Sequence, residues 1–214
     1  FNNFPEFSIA TRKSIRNSLQ IQPESTVMVY SGSLGGNYDF KDFLKIFNTF
    51  LIRSKTNHII ILSKTPKDYI QENLLSSNLN PNKISIVNSP FKDVHKYLQA
   101  SDIGLILYNR NFSVIGRSPT KLGEYWSSGV PALSLKNIGD LNTIFSMHPK
   151  GGVLIDNFRK NEINIAFDEL EKEFDKSILR EYSKDYFHID KGVNFYKNIY
   201  KELLIQWLKT NIYW

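Results

Sequence analysis

The chain has 214 residues, 41% hydrophobic and 14% aromatic, enough to bury the core of one large domain or two small ones. It contains no cysteine, which excludes a disulfide framework and any zinc site built on thiolates, and fits a reducing compartment. The net charge of +6 favours anionic ligands, but basic and acidic residues are intermixed, and no basic stripe interleaved with aromatics points to nucleic acid.

The longest apolar runs fall far short of the ~20 residues a membrane-spanning helix needs, and no signal-peptide pattern leads the chain. The sequence opens at Phe1 without an initiator methionine, so an excised domain or processed product is expected. The four histidines, at 58, 95, 148 and 188, match no metal-ligand spacing, and no metal is expected.

Six short β-branched runs alternate with helical segments: 26–31, 58–63, 83–87, 103–108, 131–135 and 151–155. They are continuous apolar stretches, the pattern of strands covered on both faces, and the connections are long enough for crossover helices. The spacing predicts helices over 39–53, 67–77, 91–100, 119–128 and 138–147. From about 161 the chain reads as helix only, with Phe195, Ile199, Leu203 and Trp207 at i, i+4 spacing in the last segment. The fold class is α/β: a doubly wound, Rossmann-like six-stranded parallel sheet with helices on both faces and a C-terminal helical extension. The strand order expected is 3-2-1-4-5-6, with a ligand crevice at the carboxyl ends of strands 1 and 4.

The two least ordinary loops fall on those strands. The first, "SGSLGGNYD", carries Gly32, Gly35 and Gly36, which let backbone amides approach a ligand; a plain turn is the alternative. The second leads into "RSPTKLGEYWSS". Ser118 can cap this helix and Pro119 suits its first position, so a capping box would place Glu or Gln at 121. Lys121 stands there instead, facing the positive end of the helix dipole, with Arg117 just before the cap. Free helix amides, the Ser118 and Thr120 hydroxyls and the charges of Arg117 and Lys121 together suit a phosphate or diphosphate. The alternative is an i, i+3 pair between Lys121 and Glu124. Helix geometry turns Leu122, Tyr125 or Trp126, and Gly129 to the sheet, and Lys121, Glu124 and Ser128 away from it. A carboxylate one turn inside a phosphate-binding helix start suits ribose hydroxyls. Gly123, costly inside a helix, hints at close packing.

"SPTKLGEYWSSGVPAL" resembles the donor-site segment of retaining glycosyltransferases of the B-type (GT-B) fold, group 1 or family 4, typified by enzymes of bacterial surface polysaccharide and lipopolysaccharide synthesis. "VMVYSGSLGG" is similar to that group's first strand and glycine loop, "DVHKYLQASDIGLILY" to its helix into strand four, and "NNFPEF…RKSIRNSLQI" to the segment after the interdomain hinge. The resemblance implies a post-hinge segment and first helix at 1–20, a donor-binding core at 21–160 and C-terminal helices at 161–214 packing on the same domain. It implies one half of a two-domain enzyme whose acceptor-binding half is missing.

By the same resemblance, Glu124 holds the donor ribose, and Lys121 and the amides near Thr120 and Leu122 hold the diphosphate, with Gly32 and Ser33 on its other side. Ser89 and Pro90 would edge the base. Two departures stand out. The family's first motif glutamate, which touches the donor sugar, falls here on Gly116, and Ser33 stands where an arginine is usual, with no lysine at the matching place near Asp39.

The implied function is transfer of a sugar from a nucleoside-diphosphate sugar, of UDP or GDP type, to a glycan or lipid-linked acceptor bound by the missing domain. Lys121 is the best candidate to stabilise the leaving diphosphate; no other catalytic group is assigned. The nucleotide sugar is a substrate, and no cofactor is expected. The expected location is the cytoplasm at the inner face of a membrane, with room for peripheral membrane association of the full enzyme. Rival readings are a sugar-nucleotide epimerase of the same fold, which needs carboxylates and histidines gathered near the crevice, and a non-catalytic nucleotide-binding or interaction domain.

Overall fold

Burial on both faces dictates the sheet. In the computed structural model, which describes residues 4–35, 40–108, 111–172 and 174–211, the six apolar runs form β1 (Val27–Ser31), β2 (His58–Leu62), β3 (Ile84–Val87), β4 (Ile103–Ile106), β5 (Ala132–Leu135) and β6 (Gly152–Ile155). They pair in parallel in the order β3-β2-β1-β4-β5-β6, as the sequence predicts. Every residue of β1, β2, β4 and β5 is buried, which is why these strands read as unbroken apolar runs. Val29 lies opposite Ile60 on one side and Gly104 on the other, so β1 sits at the centre, between the two halves of the winding.

The helices are α1 (Ile9–Ser18), α2 (Phe40–Arg53), α3 (Lys67–Leu75), α4 (Phe91–Gln99), α5 (Thr120–Ser127), α6 (Leu141–Met147), α7 (Lys160–Leu170), α8 (Lys176–Phe187) and α9 (Ile189–Asn211). The expected start of the second helix at Asp39, and Gly36 of the glycine loop, lie outside the described residues. Helix α2 shows the packing logic: Phe43, Ile46, Phe47 and Phe50, at i, i+3, i+4 and i+7, are all buried. Each such side chain contributes roughly 1.5–3 kcal/mol by leaving water.

Two glycines mark places where a side chain replaces a missing Cβ. A Cβ on Gly104 would lie 2.5 Å from the Tyr125 ring, and one on Gly151 would lie 2.1 Å from Trp126. Tyr125 therefore reaches across β4 to β1, where its hydroxyl accepts from the Ser31 amide (3.1 Å) and donates to the Leu105 carbonyl (3.0 Å). Burial pushes this phenol well above its ordinary pKa, so it stays neutral and keeps both bonds. Trp126 donates to the Gly151 carbonyl at 2.7 Å. Expected as the first residue of the sixth strand, Gly151 instead closes a 3₁₀ turn, Pro149–Gly151, shaped around that indole.

At the amino edge of the sheet, Asp102 joins α1 to the central strands. Its carboxylate accepts from the Val27 amide (2.8 Å) and from Arg16 (2.7 Å), and it pairs with Arg12. With that edge fixed, the opposite, carboxyl edge is left to the loops after β1, β2, β3 and β4.

Helix α9 is different in kind. Val193, Phe195, Tyr196, Tyr200, Leu203, Leu204 and Trp207 along it are all exposed. No helix among the described residues is long and apolar enough to cross a membrane.

Candidate functional site

Because the sheet is parallel, the carboxyl ends of β1 to β4 share one edge, and a pocket of about 260 Å³ opens there. It is lined by Ser31, Gly32 and Ser33 after β1, Leu62, Ser63 and Lys64 after β2, Ser89, Phe91 and Val94 after β3, and Lys121 from α5. Its size lies just below the range of ~300–1,000 Å³ usual for small-ligand sites. Of the residues singled out in the sequence, Gly32, Ser33, Ser89 and Lys121 come together here. Pro90, exposed, is the residue before the first turn of α4 and lies between Ser89 and Phe91.

The glycine loop is held from two sides. The Tyr30 hydroxyl donates to the Ser33 carbonyl at 2.6 Å, and the Gly32 amide donates to the Leu62 carbonyl at 3.0 Å. A Cβ on Gly32 would meet the Tyr30 hydroxyl at 2.9 Å. The Gly32 amide is thus occupied within the sheet edge and not free for an anion, contrary to the simplest reading of a glycine loop. Leu34 is likewise tied to Thr65, whose side chain accepts from the Leu34 amide at 2.9 Å. The Ser33 amide has no partner among the described residues.

Helix α5 departs from the sequence expectation at its start. Pro119 is the residue before the first turn, and no side chain caps the helix. Ser118 does not cap; its hydroxyl donates to Asp140 at 3.0 Å, a carboxylate that also accepts from Tyr186 at 2.9 Å. The Leu122 amide donates to the Pro119 carbonyl at 3.0 Å and its side chain is fully buried, so Leu122 offers a ligand nothing. The amides of Thr120 and Lys121 precede that first bond and are the donors left at the helix start. Arg117 stacks on Tyr108, its guanidinium carbon 5.0 Å from the ring centroid, and does not line the pocket.

Lys121 and Glu124 are indeed neighbours, but they meet each other. The Lys121 ammonium lies 3.0 and 2.8 Å from the two carboxylate oxygens of Glu124. The Glu124 side chain is 6% exposed and that of Lys121 32%, so the pair has one foot in the core and one in the pocket. The sequence placed Glu124 and Ser128 on an outward face; both are buried. Helix α8 packs against α5, with Ser183 donating to the Gly123 carbonyl at 3.0 Å and lying 2.6 Å from Ser127.

Gly116 ends a 3₁₀ turn, Phe112–Gly116, ahead of α5. It is exposed, and a Cβ there would meet nothing within 4 Å. The turn is backed by Gly139, whose amide donates to the Val114 carbonyl (2.9 Å) and whose own Cβ would lie 1.4 Å from the Arg117 carbonyl oxygen. With φ at +50°, Gly139 suits glycine twice over.

Sequence reasoning missed Ser63, Lys64, Phe91 and Val94. The signal was positional: each follows the carboxyl end of β2 or β3, and only the strand order brings these ends beside the glycine loop. Lys64 is exposed and has no hydrogen bond or ion pair among the described residues.

No family model matches the chain, and no curated protein matches its sequence. Solved structures do resemble it. HepE from Anabaena, in complex with UDP and glucose, aligns with a TM-score of 0.71 at 15% identity over 94% of this chain and 54% of its own. WaaG, a glycosyltransferase involved in lipopolysaccharide biosynthesis, aligns with a TM-score of 0.62 at 14% identity over 84% of this chain and 47% of its own. The C-terminal domain of a glycosyl transferase group 1 family protein (LpcC) from Francisella tularensis aligns with a TM-score of 0.57 at 14% identity, covering 81% and 87%. The chain therefore spans about half the length of HepE and WaaG and most of the LpcC C-terminal domain. At these identities the likeness establishes the fold: a doubly wound domain of the kind found in these glycosyltransferases.

Proposed function

We propose that the chain is the nucleotide-sugar donor-binding domain of a glycosyltransferase. In this reading the enzyme transfers a sugar from a nucleoside-diphosphate sugar, of UDP or GDP type, to a glycan or lipid-linked acceptor in surface polysaccharide synthesis. The observation that carries the reading is the pocket at the β1–β4 edge, where Lys121 at the start of α5 stands with Gly32, Ser33 and Ser89. Support also comes from the structures that share the fold, among them HepE solved with UDP-glucose. The acceptor would bind to a further domain, so the chain alone is expected to bind donor and transfer nothing.

The chemistry proceeds by loss of the nucleoside diphosphate from the anomeric carbon of the sugar. Negative charge grows on the leaving diphosphate as that bond breaks. Lys121 and the amides of Thr120 and Lys121 would face that charge, favouring the transition state over the bound donor. No metal is required for this role. Glu124 already holds Lys121 in place through both oxygens, and in this reading its carboxylate would accept from a ribose hydroxyl once the ammonium turns to the diphosphate. Retention of anomeric configuration is part of the proposal, as is action at the cytoplasmic side of a membrane.

Titration calorimetry of the 214-residue chain with UDP and GDP tests the reading. One of them should bind, and Lys121→Ala should weaken it by about tenfold, the worth of one charge-assisted contact. No heat from either nucleotide at millimolar concentration would overturn the proposal.

A further inference from the structure

Resting on the donor-site reading above, we infer that Lys64, and not a group on the glycine loop, supplies the second cation that holds the diphosphate opposite Lys121. Three observations lead there. Lys64 and Lys121 line the same pocket, Lys64 from the end of β2 and Lys121 from the start of α5, with the glycine loop between them. Lys121 has a carboxylate bound to it in bidentate fashion, so its charge is largely compensated before any ligand arrives. Lys64 has no such partner among the described residues and carries the pocket's uncompensated charge. A diphosphate bears at least two negative charges, and a single lysine already shared with Glu124 cannot balance them.

The backbone of Lys64 is also placed by its neighbours. The Ser63 amide donates to the Val87 carbonyl at 3.0 Å, and the Ser63 hydroxyl accepts from the Thr65 amide at 3.0 Å. Thr65 in turn accepts from the Leu34 amide at 2.9 Å and donates back to the Leu34 carbonyl at 3.3 Å. The turn that bears Lys64 is thus laced to the loop that bears Gly32 and Ser33. A fixed stem with a free ammonium is the arrangement expected of an anion-binding lysine, since little backbone freedom remains to be lost on binding. It places positive charge beside a glycine loop that has none of its own between Gly32 and Gly35.

The inference assigns a specific division of labour. Lys64 reads the phosphates and not the nucleoside, so its loss should act on UDP or GDP and spare uridine or guanosine. Calorimetry with the matching pair, diphosphate and free nucleoside, on wild type, Lys64→Ala and Lys64→Gln measures this directly. The expected result is a diphosphate dissociation constant raised by about fivefold or more in both variants, an unchanged nucleoside constant, and a shallower loss of diphosphate affinity with added salt. Equal melting temperatures without ligand are expected for all three proteins, because the side chain is exposed. A diphosphate-to-nucleoside preference within about twofold of wild type in both variants overturns the assignment. If it does so while Lys121→Ala narrows the same preference, the donor site stands and only the role of Lys64 falls. If wild type binds none of the four compounds, the donor-site reading itself is overturned, and the two failures are told apart.

Discussion

Replacing Lys121 by alanine should destabilise the protein more than removing the charge of its partner does. Glu124 is nearly buried, and both of its oxygens are satisfied by one ammonium. Deleting one partner of a fully buried pair costs about 3–5 kcal/mol, because the other charge is stranded. Here the Lys121 side chain is 32% exposed, so water reaches one side of the pair and the expected cost falls to about 1–3 kcal/mol. Glu124→Gln leaves a neutral amide in the same space and a lysine that turns to solvent, at a cost of no more than about 1 kcal/mol. The double variant should recover most of the loss, since it leaves no stranded carboxylate. For a chain of this length each kcal/mol moves the melting temperature by roughly 2–4 °C, so the single lysine variant should melt about 2–12 °C below wild type. Urea unfolding followed by fluorescence gives the free energies directly. If Lys121→Ala is as mild as Glu124→Gln, or the double variant is worse than Lys121→Ala, the stranded-charge reasoning is refuted. The same stranded carboxylate would repel a diphosphate, so nucleotide affinity should partly return in the double variant.

Other perturbations have equally definite outcomes. Burial, with Arg16 nearby, lowers the His58 pKa to about 4, from 6.5. The unfolded chain thus binds this proton first, so the stability it confers is complete above pH 6.5 and lost as pH falls toward 4, by roughly 3 kcal/mol in all. Unfolding of wild type and His58→Asn at pH 7 and pH 4.5 should show a smaller acid loss in the variant. Gly104→Ala should cost about 1–3 kcal/mol by pressing on Tyr125, read as a lower urea midpoint with no change in its slope. Ending the chain after His188 should leave the unfolding free energy within about 1 kcal/mol of wild type, because the side chains of α9 stay exposed along nearly its whole length.

The sheet was legible because its physics is local. Strands buried on both faces cannot alternate, so "HIIIL" and "IGLI" announce themselves, and their number and spacing give the winding order. The site was legible only where a single segment carries it. Lys121 stands out within its own helix turn, and the i, i+3 spacing offers its pairing with Glu124, but the near-complete burial of that carboxylate depends on tertiary packing that the segment does not display. The Ser118 cap failed for a similar reason: Asp140, from the loop after β5, offers that hydroxyl a charged acceptor, a stronger bond than a helix amide would make. Lys64 carries no local signature at all. Its place beside the glycine loop follows from Thr65 binding Leu34, a contact between segments thirty-one positions apart.

Gly116 gains a clearer meaning from the geometry around it. A glycine is compelled by structure where a Cβ would collide or the backbone turns left-handed, as at Gly139, and neither holds at 116. A Cβ at 116 meets no neighbour, so the fold does not require glycine there. Gly116→Glu should accordingly leave stability within about 0.5 kcal/mol of wild type. Under the proposed function it should also leave UDP affinity alone while changing the affinity for UDP-glucose, because a carboxylate there would address the sugar and not the nucleotide. Calorimetry with both ligands separates these effects. A variant that loses UDP binding, or that unfolds at a lower urea concentration, would show that the turn at 112–116 is under a constraint that its open surroundings do not reveal.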